Sequence, residues 1–195
     1  MILHIIVVTY NRPLKLKILI DSFLVQTCPC WDMLIVHDGP ASDETRQTIS
    51  LYKEYDKIRF IEHPERLERW GHPLRKIYLQ KIKSDPEDFI LMTNDDNYYM
   101  PIFVELMLDG CRPNTGIIYC DTVHNYFNYS IMKTEIKVNK IDIGSFIVRG
   151  DVAKVVGFKY NYYNADGRYA VECARYCDKR HLTADYCNKL IFIHN

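Results

Sequence analysis

The stretch Leu3-His4-Ile5-Ile6-Val7-Val8-Thr9-Tyr10-Asn11-Arg12-Pro13 begins as an apolar run and closes on a polar loop and a proline. Leu16, Leu19, Ile20 and Phe23 follow at helical intervals, so the order reads strand, loop, helix. The run is interrupted by His4 and is far too short to span a bilayer. It also lacks the charged flank and cleavage site of a signal peptide, which leaves a buried strand as its reading.

Working outward, the unit repeats. Residues 33–36 are a second apolar run closed by Asp38-Gly39-Pro40, after which Ser42 and Asp43 offer N-caps to a helix expected to reach about Tyr55. A third strand over residues 58–61 leads through a charged loop to Pro73, which starts a helix with Leu74, Ile77, Tyr78 and Ile82 on one face. A fourth strand, residues 89–92, ends at Asn94-Asp95-Asp96-Asn97. Short buried strands alternating with helices predict an α/β fold. Its central sheet is expected to be mainly parallel, with helices on both faces and ligands at the carboxyl ends of the strands.

Beyond residue 100 the pattern loosens: a helix is expected over residues 101–111, strands over 116–122 and 145–148, helices over 151–156 and 166–177, and a last strand over 191–193. No Pro/Gly/Ser linker divides the chain, so residues 1–195 are expected to form one domain. The first half, about residues 1–100, is expected to be a nucleotide-binding half and the second, about residues 101–195, an acceptor-binding half.

Bulk properties narrow the function. A chain of 195 residues, 48% hydrophobic and 26% charged, is long enough for a sizeable core. Lys plus Arg and Asp plus Glu are both 25, so no general field draws the chain to nucleic acid or an anionic membrane. Neither a nucleic-acid partner nor a transmembrane segment is expected. Seven cysteines without framework spacing predict reduced thiols and a cytoplasmic location. Cys28, Cys30, Cys173, Cys177, His181 and Cys187 contain no C-x-x-C pair, so zinc is not expected among them. The 15 tyrosines are densest at residues 119–129 and 160–169, which suits a sugar-binding cleft as well as the edge of a core.

Neither G-x-G-x-x-G nor G-x-x-x-x-G-K-[ST] occurs, which excludes a glycine-rich phosphate cradle and the dehydrogenases and NTPases that use one. The first loop offers Thr9, Tyr10, Asn11 and Arg12, and the second strand Asp38, groups able to hydrogen-bond a base and ribose and equally able to cap and turn a loop. Asp95 and Asp96 are adjacent carboxylates that repel unless compensated, and hard ions such as Mg²⁺ or Mn²⁺ do this well. A polar turn before Pro101 fits the same residues. Asp166, opening a late helix, could cap that helix or accept a proton from a hydroxyl. His194, near the end of the last apolar run, is a packed or surface histidine or a metal ligand.

Taken together, these clusters resemble the GT-A (nucleotide-diphospho-sugar transferase) glycosyltransferases of family 2, especially the spore-coat polysaccharide transferase type. Val7-Val8-Thr9-Tyr10-Asn11-Arg12-Pro13 resembles the opening landmark. Gln26-Thr27 and Ile35-Val36-His37-Asp38-Gly39 resemble the next two, and Asp95-Asp96-Asn97-Tyr98-Tyr99-Met100-Pro101 the metal motif. Val156-Gly157-Phe158 with Ala165-Asp166-Gly167-Arg168-Tyr169 resembles the catalytic-aspartate segment.

The resemblance implies a metal-dependent inverting transferase moving a sugar from a nucleotide-diphosphate sugar, UDP-sugar above all, to a hydroxyl of a glycan or other acceptor. Under it Thr9 and Asp38 hold the nucleoside, Asp95 lies at the ribose or the metal shell, and Asp96 binds Mn²⁺ or Mg²⁺. Arg69 or Arg75 approaches the diphosphate, and Asp166 is the base. Family members often continue further, so the segment is expected to belong to a longer protein. Asn94 stands where many members carry the first aspartate of D-x-D, His37 where an acidic residue is commoner, and Glu172 where some have arginine.

A sugar-1-phosphate nucleotidyltransferase would need a glycine-rich basic opening that is absent. A glycoside hydrolase has no use for nucleoside-binding loops. A noncatalytic nucleotide-sugar or glycan-binding module is the remaining alternative.

Overall fold

A computed structural model describes residues 1–195. The first half runs β1 (Leu3–Thr9), α1 (Pro13–Leu24), β2 (Trp31–His37), α2 (Asp43–Ser50), β3 (Ile58–Glu62), α3 (His72–Lys81) and β4 (Phe89–Asn94). The second half adds β5 (Tyr98–Tyr99), α4 (Phe103–Asp109), β6 (Thr115–His124), β7 (Ser130–Met132), β8 (Phe146–Arg149), α5 (Gly150–Val156), α6 (Ala165–Lys179) and β9 (Thr183–His194).

All the strands join one sheet in the order β3-β2-β1-β4-β8-β6-β9-β5, with β7 added beside β6. β1 to β4 pair in parallel, β8 is antiparallel to both β4 and β6, and β9 is parallel to β6. Two antiparallel steps restore the direction, so β6 and β9 run with β1–β4. The carboxyl ends of β1, β2, β4, β6 and β9 therefore meet at one edge, and this is what gathers the polar residues. The expectation of a mainly parallel sheet with helices on both faces is borne out.

Alternation along β1 splits the core into two layers. Ile6 and Val8 face a layer shared with Leu74 and Leu79 of α3, Val152 of α5 and Tyr169 of α6. Leu3, Ile5 and Val7 face the layer made by Leu16, Leu19, Ile20 and Phe23 of α1 and by Phe103 and Met107 of α4. Every residue of β1 is buried. Each such aliphatic side chain contributes roughly 1.5–3 kcal/mol, and Ile5→Ala would cost about 2–5 kcal/mol through the cavity it leaves.

Local chemistry sets the helix starts. Pro13 opens α1, where its missing N–H costs nothing. Ser42 caps α2 as expected, its Oγ accepting from the N–H of Thr45 at 3.3 Å. That helix stops at Ser50 and not near Tyr55, because the chain tightens into three-residue turns at Leu51 and Tyr52. The turns carry the Tyr52 ring beneath α1, where its hydroxyl donates to Asp21 at 2.7 Å. β9 starts at Thr183, well before the apolar residues that announce it. No helix is long and apolar enough to cross a membrane.

Candidate active site

At the carboxyl ends of β1 and β2 lies a cleft of about 810 Å³, reached by Thr9, Tyr10, Arg12, Asp38, Arg69 and Asp96. Asp95, wholly buried, forms its base: Thr9 Oγ1 donates to Asp95 Oδ2 at 2.5 Å, and Arg12 Nε donates to the same oxygen at 3.2 Å. Burial pushes the Asp95 carboxyl up to about 6 against the pull of Arg12 and Thr9, and the neighbouring Asp96 adds to the rise. Lys15 Nζ stands 3.8 Å from Asp96 Oδ2. Oδ1 of Asp96 is buried and has no partner, and an orphaned hard oxygen beside a second carboxylate fits Mg²⁺ or Mn²⁺.

Two of the predicted ligands, Asn11 and Asp38, also bond within the loops. Asn11 lies outside the cleft lining, with φ 45°. Its N–H donates to His37 Nε2 at 3.0 Å, and its Oδ1 accepts from the Ser42 N–H at 3.0 Å. His37, fully buried, donates from Nδ1 to the Gly39 carbonyl at 2.7 Å, so an imidazole suits this position where a carboxylate could not donate. Asp38 reaches the cleft, but its oxygens accept from the N–H groups of Leu67 and Glu68 at 2.6 and 2.8 Å. That clamp holds a strained segment: Glu68, Arg69 and Trp70 have φ of 56°, 53° and 56°, followed by Gly71 at 75°. A Cβ at Gly71 would stand 2.3 Å from Val8 Cγ1, so only glycine fits.

The two candidate arginines part company. Arg69 borders the cleft, whereas Arg75 is 1% exposed and lines a second cavity of about 330 Å³ alongside Asn94, Asp142 and Asp166. Arg75 donates through Nη1 to the Trp70 carbonyl at 2.8 Å and to His72 Nδ1 at 3.0 Å, and through Nη2 to Asn94 Oδ1. Asn94 thus anchors the guanidinium. Burial and the Arg75 charge hold the His72 imidazole down at about 3.

Asp166 sits in the first turn of α6, and the cap position belongs to Asn164. Its Oδ1 is buried without a partner. Burial raises its carboxyl to about 7, Arg75 opposing and Asp142 reinforcing the rise. Asp142 in turn lies 3.5 Å from Nε2 of His194, whose ring stacks on His124 at 4.0 Å and 9°. His124, Asp142 and His194 are close enough to share an ion. Parallel rings send their lone pairs side by side, however, so one imidazole would have to turn before both could meet it.

A family model described as Glycosyl transferase family 2 matches residues 4–158. The chain belongs to that family. Asp96 and Asp166 line adjoining hollows that share Trp70, Asn94, Tyr126 and His194. No curated protein sequence matches the chain.

Among solved structures, S. aureus TarS 1-349 superposes with a TM-score of 0.76 at 14% identity, covering 100% of this chain and 60% of that one. The same fragment in complex with UDP-GlcNAc gives 0.76 at 14% identity, covering 99% and 58%. The mannosyltransferase PcManGT from Pyrobaculum calidifontis, in complex with GDP-Man and Mn²⁺, gives 0.70 at 15% identity, covering 98% and 56%. These likenesses establish the GT-A fold, and the chain spans about 60% of the first solved chain it matches.

Lys15, Arg66, Trp70, His124 and Asp142 escaped the sequence reading. Arg66 lies over the Tyr10 ring at 3.8 Å, a pairing that no spacing encodes. Asp142 carried a signal, a lone carboxylate between Ile141 and Ile143.

Proposed function

We propose that the chain is a metal-dependent inverting glycosyltransferase that moves a sugar from a nucleotide-diphosphate sugar to a hydroxyl acceptor. UDP-sugar is the first donor to test. The observation that carries this reading is Asp166: a carboxylate with an unpartnered buried oxygen, in a cavity adjoining the cleft that holds Asp38 and Asp96.

Thr9 and Asp38 would fix the nucleoside, and Asp96, with Asp95 behind it, would hold Mn²⁺ or Mg²⁺. A divalent ion bound there supplies Lewis-acid stabilisation of the departing diphosphate charge. Arg69, exposed at the cleft wall, reaches the diphosphate in this scheme. Arg75 stays in place as a buried positive charge that acts on Asp166 through its field. Asp166 takes the proton of the acceptor hydroxyl, whose oxygen attacks the anomeric carbon opposite the diphosphate and inverts it. Donor complexes of TarS and PcManGT support the choice of UDP-GlcNAc and GDP-Man as probes.

Calorimetric titration of UDP-GlcNAc and GDP-Man with Mn²⁺ or with EDTA, followed by proton NMR of the product's anomeric coupling, tests the scheme. Binding that ignores the metal, or a product of retained configuration, would overturn it. Tight donor binding without transfer to any acceptor would favour a noncatalytic module.

A further inference from the structure

Four large aromatic rings stand exposed around the cavity that holds Asp166. Trp70 and Tyr163, 62% and 71% exposed, face each other nearly edge-on at 6.5 Å on one flank. Tyr126 and Phe127, 69% and 52% exposed, form the other, their rings 5.1 and 5.4 Å from His124. The rings come from three separate segments: the strained turn before α3, the turn after β6 and the loop before α6. A single exposed aromatic needs no explanation, but four converging on one hollow present an apolar patch to water at a cost that a ligand can relieve.

The rest of the cavity lining is mostly polar and includes the carboxylates of Asp142 and Asp166, the Arg75 guanidinium and the amide of Asn139. A ligand matching this surface must offer flat apolar faces to the rings and hydroxyls at its edge. Pyranosides have that form, because axial C–H bonds cluster on the ring faces while hydroxyls project equatorially. A serine or threonine side chain has no face to stack, and a lipid chain would leave the carboxylates unpaired.

We propose that the acceptor is a pyranosyl residue of a glycan, clamped between these flanks with one hydroxyl directed at Asp166, and that Tyr163 and Phe127 set acceptor affinity. The proposal deepens the glycosyltransferase reading and rests on it for the role of Asp166. Neither Tyr163 nor Phe127 lines the nucleotide cleft, so acceptor and donor binding can be measured apart.

The experiment is saturation-transfer NMR of a panel of methyl pyranosides with the protein in UDP and Mn²⁺, beside calorimetry of UDP alone. Saturation of the C–H face protons of some pyranosides is expected. Affinity should fall roughly five- to tenfold in Tyr163→Ala and in Phe127→Ala, the worth of one stacked ring, and should hold in Tyr163→Phe. Circular dichroism shows that each variant is folded. No saturation with any pyranoside, or affinities that both alanine variants leave unchanged, would overturn the clamp even if UDP binds. Pyranoside binding that survives while UDP fails to bind would instead overturn the donor scheme and leave a glycan site standing.

Discussion

Arg12 donates through Nη1 to Oδ2 of Asp96 at 2.6 Å, and its Nη2 reaches Oδ1 of the neighbouring Asp95 at 2.5 Å. One guanidinium thus compensates two adjacent carboxylates, which is the electrostatic task assigned above to a divalent ion. Arginine and ion would compete for the negative charge of the same two carboxylates. In metal-free buffer Arg12→Ala is expected to lose about 1–2 kcal/mol, a value kept small because the arginine is half exposed. Mn²⁺ should then raise its melting temperature more than it raises that of the wild type. Thermal unfolding in EDTA and in Mn²⁺ measures both, and equal shifts would rule out the competition.

Asp166 as a base predicts a pH limb. A base works only when deprotonated, and this carboxyl is raised to about 7 by burial and by Asp142 against the pull of Arg75. Transfer should therefore fall as pH drops through about 7. Asp142→Asn removes the neighbouring negative charge and should move the limb to lower pH. Asp166→Asn should cut transfer by about two to four orders of magnitude with donor affinity unchanged. Rate profiles of the three proteins, with donor titrations beside them, decide the assignment. A limb that stays put in Asp142→Asn would detach it from Asp166.

Asp38 acts on the cleft through the loop that it clamps as well as through any direct bond to the nucleoside. Asp38→Ala removes the acceptor for the Leu67 and Glu68 N–H groups, and the left-handed turn at residues 68–71 loses what holds it. Hydrogen exchange at residues 66–71 should accelerate at least tenfold, the equivalent of about 1.4 kcal/mol of lost protection. UDP affinity should fall in the same variant. A loop that exchanges as slowly as in the wild type would leave only the direct role.

At the opposite end of the sheet, His4 bonds Asp32 through Nδ1 at 2.9 Å and Asp88 through Nε2 at 3.1 Å. Burial alone would lower this histidine, but the hydrogen bonds to the two carboxylates outweigh it and raise its pKa. A raised folded value means that the charged ring stabilises the fold fully below the unfolded pKa of about 6.5. That contribution fades as pH climbs through the folded value. Denaturant unfolding at pH 6 and pH 9 should cost the wild type more stability than His4→Gln over the same interval, and equal losses would contradict the assignment.

The sequence announced elements wherever burial was continuous. β1 and β4 are nearly fully buried and could be read from unbroken apolar runs, whereas the early part of β9 alternates partly buried and exposed residues and carries Asp185, Asn188 and Lys189 among them. Its strand character comes from pairing with β6, a relation no local pattern holds. β5 has two residues and β7 three, too few for any period to register. In the candidate site, Thr9, Asp95 and Asp96 were legible because they stand at or just beyond the ends of buried strands. Asn11 was not, since an asparagine that clamps a loop and one that binds a base have the same local sequence. The neighbours of Asp166 come from α3, β6, β9 and the segment before β8, so only the strand order could bring them together.

The position of β9 between β6 and β5 bears on synthesis. Until residues 183–194 have left the ribosome, β6 presents its long edge unpaired and β5 has no partner, since Tyr98 and Tyr99 register only with Ile193 and Phe192. An exposed edge of that length is a template for pairing with other nascent chains. The first four strands can assemble vectorially as they emerge, but the β6-β9-β5 part of the sheet closes only when β9 arrives. A stalled or prematurely terminated product would therefore lack His194 beside Asp142 and would be adhesive.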